Sequence, residues 1–314
     1  MRVGQNPAKS IDQVALPARV TVAVVSYIPF LSGYYAESLE ILKACLGSIW
    51  DSTPAPYDLM VFDNGSCPEV KEYLAAMQSQ GRIQYLVLSE KNIGKGGAWN
   101  FIFEAAPGEV IAYTDSDVSF SPGWLEDTLA ILEAYPKVGM VTARPMRSPE
   151  QYYTSTLEWA QGSPEVTVDY ESFIDWETYR QHIVSLGTSE EQAREWYGTR
   201  KDYRLTYQGI QAQVGAAHFQ FTSYKSALRE FLPFRMDRPM GQVRSLDEQM
   251  NAAGYLRLCT CQPYVRHLGN QLEGDLSRPR NTGAGKRSRG WAELPLVKRL
   301  LLKIYDAIFR LYFH

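Results

Sequence analysis

The chain has 314 residues, of which 45% are hydrophobic and 21% are charged, with a formal net charge of −3. This near-average composition excludes a wholly disordered chain, a collagen and a membrane channel, and the length suits one large α/β domain or two small ones. The chain has no run of about 18 uncharged apolar residues, no N-terminal apolar run typical of a signal peptide and no cysteine pair with zinc-ribbon spacing, so we expect a protein of the reducing cytoplasm.

Strands and helices alternate along the first half of the chain. Residues 1–18 lack periodicity and are predicted to form a loose N-terminal arm. The predicted strands are apolar, often β-branched runs at 20–26, 57–62, 83–88, 110–114 and 138–142. The predicted helices, with apolar residues at helical spacing, are 37–50, 68–80, 95–106 and 124–135. This alternation predicts an α/β fold with a Rossmann-like, mostly parallel central sheet and helices on both faces, whose ligands bind beyond the carboxyl ends of the strands.

The pattern changes after Arg144. Residues 148–210 are rich in Tyr, Trp and acidic side chains, and we expect them to form an insertion over the sheet on the acceptor side. The insertion is predicted to contain helices at 171–182 and 190–197, the second preceded by a Ser189–Gln192 capping box. Three further elements are predicted, namely a strand at 213–222, a helix at 247–253 and a strand at 255–261. The main domain is therefore expected to span residues 19–272.

The C-terminal part of the chain is basic, whereas the remainder is acidic. From Arg278 to His314 there are nine Lys or Arg residues and two acidic ones. We predict a basic mobile loop at 273–291 and an amphipathic helix at 292–314. The helix either lies on an anionic membrane surface, at the inner face of the membrane, or packs its apolar face on the rest of the protein or on a second subunit. Nucleic acid is not expected as a partner, because no interleaved basic and aromatic motif accompanies the charge.

Two aspartates, Asp115 and Asp117, stand one residue apart where a predicted strand gives way to a loop. Their carboxylates can turn towards one cation, and oxygen ligands suit Mg²⁺ or Mn²⁺, which then neutralises a diphosphate. The alternative is that Asp115 caps a turn and Asp117 is solvated.

Three further features accompany this pair. Asp63 closes the second strand, where a nucleoside ring would be held, and the segment 92–100 opens a helix with glycines that allow a ligand to approach the backbone. His267 follows the last predicted strand. Each feature also has a structural explanation (a turn residue, a tight strand-to-helix connection, a packed histidine), but the four together favour a nucleotide site.

With these motifs in this order, residues 20–270 resemble nucleotide-diphospho-sugar glycosyltransferases of the GT-A fold, and family 2 in particular. The resemblance implies a nucleotide-sugar site formed by Ser26, Tyr27, Asp63, Asn64, Asn92, Gly94, Asn100, Asp115 and Ser116. It implies a metal site formed by Asp115, Asp117 and His267, with Mn²⁺ or Mg²⁺ as cofactor. The implied reaction is sugar transfer from a nucleotide-diphospho-sugar to an acceptor hydroxyl in glycan, polysaccharide or glycolipid synthesis.

The resemblance also implies an acidic catalytic base at the start of a short helix that ends in Ala-Gly-Tyr. The candidates are Asp247 and Glu248, because the helix is about one turn shorter than the family pattern and leaves the choice between them open, and we favour Asp247. The alternative is that these carboxylates only interact with the helix dipole. If Asp247 takes the proton of the acceptor, the reaction is a single displacement with inversion at the anomeric carbon.

The partners can be ranked from the residue chemistry. A carboxylate such as Asp63 accepts a hydrogen bond from the ring N–H of uracil or thymine, so UDP-sugars come first, with GDP-mannose and dTDP-rhamnose behind. The acceptor is expected to be a glycan or lipid-linked. Arg280, Lys286 and Arg287 either close over the diphosphate or are simply solvated. Two other functions remain open, namely a haloacid-dehalogenase-like phosphatase and a catalytically inactive, membrane-associated scaffold with the same fold.

Overall fold

The computed structural model describes residues 3–236 and 243–271, all of which belong to the first of two units, residues 1–272. The predicted basic loop at 273–291 and the predicted helix at 292–314 therefore lie outside the described residues. Among the described residues, no helix combines the length and the apolar character needed to cross a bilayer.

The regular elements follow the hydrophobic pattern of the sequence. The strands are β1 Val20–Ser26, β2 Asp58–Asp63, β3 Tyr85–Leu88, β4 Val110–Asp115, β5 Val118–Phe120, β6 Val138–Thr142, β7 Thr167–Glu171, β8 Asp202–Tyr207, β9 Ile210–Val214, β10 Gln220–Tyr224, β11 Leu256–Cys259 and β12 Val265–His267. The helices are α1 Ser38–Ser52, α2 Pro68–Ser79, α3 Gly94–Ala105, α4 Trp124–Ala134, α5 Thr154–Gly162, α6 Trp176–Ser185, α7 Glu190–Tyr197, α8 Lys225–Arg229 and α9 Val243–Ala252, with 3₁₀ turns at Pro7–Ser10, Gly33–Tyr35 and Glu150–Tyr152. The nine elements predicted up to residue 142 are all present, each within two residues of its predicted bounds.

Ten of these strands form one sheet in the order β3-β2-β1-β4-β10-β6-β11-β9-β8-β7. The strands β1, β2, β3 and β4 are mutually parallel, and β6 and β11 run in the same direction. Only β10, β9 and β7 run the opposite way in this sheet. The α/β fold with a mostly parallel central sheet is thus confirmed, and Ser26, Asp63 and Asp115 lie at the carboxyl ends of its parallel strands.

Apolar clusters cover both faces of the sheet. One face packs against α1 and α4 through side chains such as Leu42, Leu46 and Ile131. The other face packs against α3 and α9, with Trp99 at its centre. The Trp99 ring contacts Tyr113 of β4 with 5.4 Å between centroids. This contact fixes the first turns of α3 beside the carboxyl end of β4, where the candidate site lies.

The second half of the chain departs from the sequence prediction in three ways. The predicted strand at 213–222 is interrupted, and β9 and β10 are separated by a loop at 215–219 that begins with Gly215 at φ +126°. The predicted insertion at 148–210 does not lie only over the sheet, because its strands β7 and β8 extend the sheet edge. The short strands β5 and β12 pair with each other in a separate two-stranded sheet. At three residues each, they are too short to show a periodic pattern.

The two helices predicted within the insertion are present as α6 and α7. α7 spans residues 190–197 as predicted, and Ser189 Oγ accepts a hydrogen bond from the Gln192 N–H at 3.3 Å. α6 begins about five residues later than predicted, where Asp175 caps it by accepting from the Thr178 N–H. The local capping chemistry therefore decides where each of these helices begins.

Candidate active site

The carboxyl ends of β1, β2 and β4 lie side by side. Ser26 pairs with Asp63 in the parallel register of β1 and β2, and Val25 pairs with Asp115 in the register of β1 and β4. This register places the two predicted carboxylates on either side of the last residues of β1. Tyr27, which follows β1, is half-buried and meets Tyr35 edge-on at 6.4 Å between centroids.

Asp63 organises the turn that follows β2. Its side chain is 0% exposed, and its carboxylate accepts from Ser26 Oγ at 3.1 Å and from the Ser66 N–H at 3.0 Å. Ser66 Oγ in turn accepts from the Ile28 N–H at 2.9 Å, which ties the turn to the chain after β1. The structure therefore shows the turn-forming role of Asp63. Its contact with a nucleoside base stays a prediction.

Two asparagines connect this turn to the glycine-rich start of α3. Asn64 Nδ2 donates to Asn92 Oδ1 at 2.9 Å, and Asn64 Oδ1 accepts from the Ile93 N–H at 2.9 Å. Asn92 Oδ1 also accepts from the N–H of Gly94 at 2.7 Å, and Gly94 has φ +74°. These bonds satisfy the backbone of a tight connection that only glycine enters without strain. Asn64, Asn92 and Gly94 are thus brought together as predicted.

Asn100 is placed differently from the other predicted donor residues. Its side-chain amide donates to the Phe234 carbonyl at 2.8 Å and accepts from the Phe234 N–H at 2.6 Å. This pair of bonds fixes the segment after α8 to α3. The role of Asn100 toward a nucleotide sugar stays a prediction without support from these contacts.

Asp115 is neutralised within the protein. Lys95 Nζ lies 2.7 Å from its carboxylate, and the Lys95 side chain is only 7% exposed. Tyr113 OH donates to Asp115 Oδ1 at 2.6 Å, and burial together with the Asp115 charge raises the pKa of Tyr113 well above its usual value. Asp115 therefore faces the start of α3, and Ser116 lies half-buried between the two aspartates.

Asp117 and His267 form a second pair beside Asp115. The antiparallel pairing of β12 with β5 sets His267 opposite Val118, and His267 Nε2 lies 3.3 Å from Asp117 Oδ2. Burial lowers the pKa of His267, but the hydrogen bond and the charge of Asp117 outweigh it, so the pKa is raised. Asp117 Oδ1 and His267 Nδ1 are buried without a hydrogen-bond partner in the described part of the chain.

These residues fit a divalent cation that arrives with a diphosphate. The described residues contain no group of three or more His, Cys, Asp or Glu side chains able to hold a metal ion. Asp117 and His267 supply one carboxylate and one imidazole, and Mg²⁺ sites commonly use one or two carboxylates completed by substrate phosphates and water. The unpartnered Asp117 oxygen is consistent with such a site, whereas Asp115 is already held by Lys95.

The two candidate bases are adjacent residues of α9, of which Asp247 is buried and Glu248 is exposed. Asp247 is 4% exposed, and its carboxylate contacts Arg257 at 2.5 Å and His218 at 3.1 Å. Because α9 already begins at Val243 in the described residues, Asp247 lies in its second turn rather than at its first residue. The explanation of Asp247 as a carboxylate at the helix N-terminus is therefore wrong.

Comparison with known protein families assigns the chain to one of them. The sequence model of Glycosyl transferase family 2 matches residues 34–212, more than half of the chain. The chain belongs to glycosyl transferase family 2. This membership argues against the phosphatase alternative, whose Asp-x-Asp should stand on the first strand, whereas here it closes β4.

Individual family 2 relatives and solved structures match parts of the chain. An uncharacterized glycosyltransferase of Nostoc sp. is 27% identical over 100 residues, which cover 32% of this chain and 31% of that protein. The succinoglycan biosynthesis protein ExoW of Rhizobium meliloti is 29% identical over 94 residues, covering 29% of this chain and 30% of that one. The chain thus aligns with less than a third of the length of these relatives. The crystal structure of S. aureus TarS 1–349 in complex with UDP has a TM-score of 0.43 and 11% identity, and covers 78% of this chain and 58% of that chain.

Three polar side chains of this family 2 site were missed by the sequence analysis, namely Lys95, His218 and Arg257. Lys95 stands inside the glycine-rich segment, so its position was visible but its partner Asp115 was not. His218 lies in the loop that interrupts the predicted strand at 213–222, and Gly215 was the signal for that loop. Arg257 is a charged residue within an apolar strand, which indicates a buried ion pair.

Proposed function

We propose that this family 2 chain is a metal-dependent glycosyltransferase that moves a sugar from a nucleotide-diphospho-sugar to an acceptor hydroxyl, with inversion at the anomeric carbon. The observation that carries the proposal is the convergence at one sheet edge of the Asp63 turn, the Lys95–Asp115 pair and the Asp117–His267 pair. The first two lie at the carboxyl ends of β2 and β4, where a parallel sheet binds its ligands, and the third joins the residue before β5 to the end of β12.

Each group has a definite task in this reaction. Asp117 and His267 would hold Mn²⁺ or Mg²⁺, which supplies positive charge to the diphosphate leaving group when bound. Asp115 and Lys95 would orient the donor beside this pair, and the turn after β2 would hold the nucleoside. Asp247 is connected to this site through His218, with which it forms a hydrogen bond. The next residue, Phe219, accepts the Asp115 N–H with its carbonyl at 2.8 Å. The acceptor proton would therefore leave toward the Asp247 side of the site.

A UDP-sugar is the first choice of donor, and GDP-mannose and dTDP-rhamnose follow. The ranking rests on Asp63, because a carboxylate oxygen keeps a lone pair after it accepts one hydrogen bond and can also accept from the imide N–H of uracil or thymine. The Asp63 side chain is 0% exposed, so this contact requires the turn after β2 to open around the base. Guanine presents a different set of hydrogen-bond donors, and Asp63 alone is a less specific partner for guanine than for uracil or thymine.

A thermal-shift panel tests the proposal directly. UDP, GDP, dTDP and their sugar conjugates are added to the full chain with and without Mn²⁺. Ligand at about 100 times its Kd stabilises the folded state by about 2.7 kcal/mol, so a specific nucleotide should raise the melting temperature, and Mn²⁺ should increase the shift. Stabilisation by no nucleotide would refute donor binding. Binding without any release of nucleoside diphosphate from the sugar conjugates would instead favour the inactive scaffold.

The proposed acceptor is a glycan or a lipid-linked molecule at the cytoplasmic face of a membrane, reached through the basic residues 278–314. Each Lys or Arg near an anionic surface contributes about 1 kcal/mol of attraction. The full chain should sediment with vesicles containing phosphatidylserine and not with neutral phosphatidylcholine vesicles, and deletion of residues 292–314 should abolish the difference. If the full chain ignores both vesicles and the deletion changes the oligomeric state, that segment is a packing element instead.

A further inference from the structure

The carboxylate of Asp247 is enclosed on both sides. Its Oδ1 accepts from Arg257 and its Oδ2 accepts from His218, so both oxygens are already engaged. With a side chain only 4% exposed, it offers no surface to a sugar hydroxyl. Direct proton abstraction by Asp247 would require one of these two partners to leave.

Arg257 is not free to leave. Its side chain is 1% exposed, and its guanidinium also donates to the carbonyls of Tyr152 at 3.0 Å and Ala216 at 3.1 Å. Removal of one member of a buried ion pair leaves an uncompensated charge and strongly destabilises the fold. Arg257 therefore holds Asp247 in place, and His218 is the more exposed of the two partners.

His218 has the exposure that a proton acceptor needs, and its partner Asp247 favours the matching tautomer. Its side chain is 34% exposed, and Asp247 is its hydrogen-bond partner among the described residues. Because an ionised carboxylate only accepts, Nδ1 carries the proton in the neutral ring, and Nε2 keeps its lone pair. Among the described residues, the contacts of this ring lead to Asp247 from α9 and, behind it, to Arg257 from β11, whose guanidinium lies against Tyr152.

The loop that carries His218 is part of the donor site. Phe219, the next residue, accepts the Asp115 N–H with its carbonyl at 2.8 Å, and its ring meets His267 edge-on at 5.7 Å between centroids. His218 is therefore attached to the same loop that contacts both the Lys95–Asp115 pair and the Asp117–His267 pair. A donor sugar bound at these pairs would therefore lie next to the loop that carries His218.

We propose that His218 Nε2, and not the Asp247 carboxylate, takes the proton of the acceptor hydroxyl, and that Asp247 is a positioning residue which orients the ring and stabilises its protonated form. This inference rests on the proposed transferase function. In the step, the acceptor O–H bond breaks and its proton moves to Nε2. The acceptor oxygen bonds to the anomeric carbon, and the bond from that carbon to the diphosphate oxygen breaks, with the electron pair leaving on the nucleoside diphosphate. His218 and Asp247 would act as a His–Asp pair, in which the carboxylate orients the imidazole and fixes its tautomer.

The first test measures UDP release from UDP-glucose, UDP-galactose and UDP-N-acetylglucosamine by the full chain with Mn²⁺, using water as acceptor, from pH 5 to 10. His218→Gln should lower turnover about 10²–10⁴-fold and remove the acid limb of the pH profile, with the Kd for UDP within about twofold of the parent. In His218→Ala, added imidazole should restore part of the rate. Asp247→Asn should also lower turnover, with Asp169→Asn on the exposed strand β7 as the matched control.

The outcomes separate the inference from the function on which it rests. If His218→Gln keeps turnover and the acid limb while Asp247→Asn loses both, Asp247 is itself the base and the inference is wrong. If the parent binds UDP but cleaves none of the three donors, the transferase proposal fails and the inference falls with it.

A second measurement does not depend on turnover. Long-range ¹H–¹⁵N spectra of histidine-labelled protein should show the Nδ1-protonated tautomer for His218, identified by its loss in His218→Gln, and Asp247→Asn should disturb it. An Nε2-protonated ring in the parent would overturn the inference, because that nitrogen would then have no lone pair for the acceptor proton.

Discussion

Replacing Gly65 by alanine should damage both stability and nucleotide binding, for reasons visible in the turn after β2. Gly65 has φ +87°, and a Cβ added there would lie 2.8 Å from the carbonyl carbon of Lys91 and 2.9 Å from the backbone nitrogen of Asn92. The left-handed conformation costs alanine about 1–2 kcal/mol. The overlap with backbone atoms adds about 1–3 kcal/mol, because the loop before α3 must move.

Gly81 provides the matched control. It has φ +74°, but a Cβ there would meet nothing within 4 Å. In Gly81→Ala the alanine is therefore destabilised only by its left-handed backbone conformation. Both variants gain the same stability from the lower conformational entropy of the unfolded chain. The difference in unfolding free energy should be about 2 kcal/mol, or roughly 4–8 °C in melting temperature for a domain of this size.

Urea unfolding and UDP titration check both consequences. The shifted loop carries Asn92, which bonds to Asn64 and Gly94, so Gly65→Ala should weaken UDP binding by about tenfold, equivalent to about 1.4 kcal/mol, while Gly81→Ala should not. Equal stability of the two variants would show that the β3–α3 loop does not constrain this turn. If Gly65→Ala is the less stable variant but both variants bind UDP with equal affinity, the turn after β2 is not part of the nucleotide site.

Three other predictions follow from the same geometry. Asp117→Ala should abolish the Mn²⁺-dependent part of the UDP thermal shift, and an unchanged shift would remove Asp117 from the metal site. Lys95→Met should lower the unfolding free energy by about 1–3 kcal/mol in urea titration, since it leaves the partly buried Asp115 carboxylate without its cation, and unchanged stability would contradict this. Burial raises the pKa of the Cys45 thiol to about 12 and also raises the pKa of the Cys259 thiol. Iodoacetamide at pH 8 should therefore leave both thiols unmodified while it labels the half-buried Cys67. Early labelling of Cys45 would contradict the packing of α1.

The local part of the fold could be predicted because each element has its own pattern. The run Val20–Ser26 is apolar except for Thr21 and Ser26, as is typical of a strand buried on both faces, and its predicted and observed bounds agree. The helix Pro68–Ser79 begins with proline at its first position, where the missing N–H has no cost. The carboxylates at the strand ends follow from the same reasoning, because parallel strands bring their carboxyl ends to one edge.

The remaining part of the site depends on contacts between distant residues, which no local pattern records. His267 meets Asp117 only because the three-residue strands β5 and β12 pair, and Arg257 meets Asp247 only because β11 lies beside α9. The interrupted strand at 213–222 was misjudged because its apolar residues continue across the break, and the His218 loop was missed with it. Asp247 was favoured as the base for its position in the sequence, and only the structure shows that both its oxygens are engaged.

The four carboxylates of this edge differ in what neutralises them, and this difference indicates where a metal can bind. Asp247 is matched by Arg257 and Asp115 by Lys95, so both already have a permanent cation in contact. Asp63 is buried and accepts from the Ser26 hydroxyl of β1 and from the Ser66 N–H of its own turn. Asp117 has only the imidazole of His267 and keeps one oxygen without a partner among the described residues. A divalent cation is stabilised most where the negative charge is least compensated, so Asp117 is the carboxylate at which Mn²⁺ or Mg²⁺ should bind. Lys95 and Arg257 already neutralise Asp115 and Asp247 and would repel a metal ion from these two carboxylates.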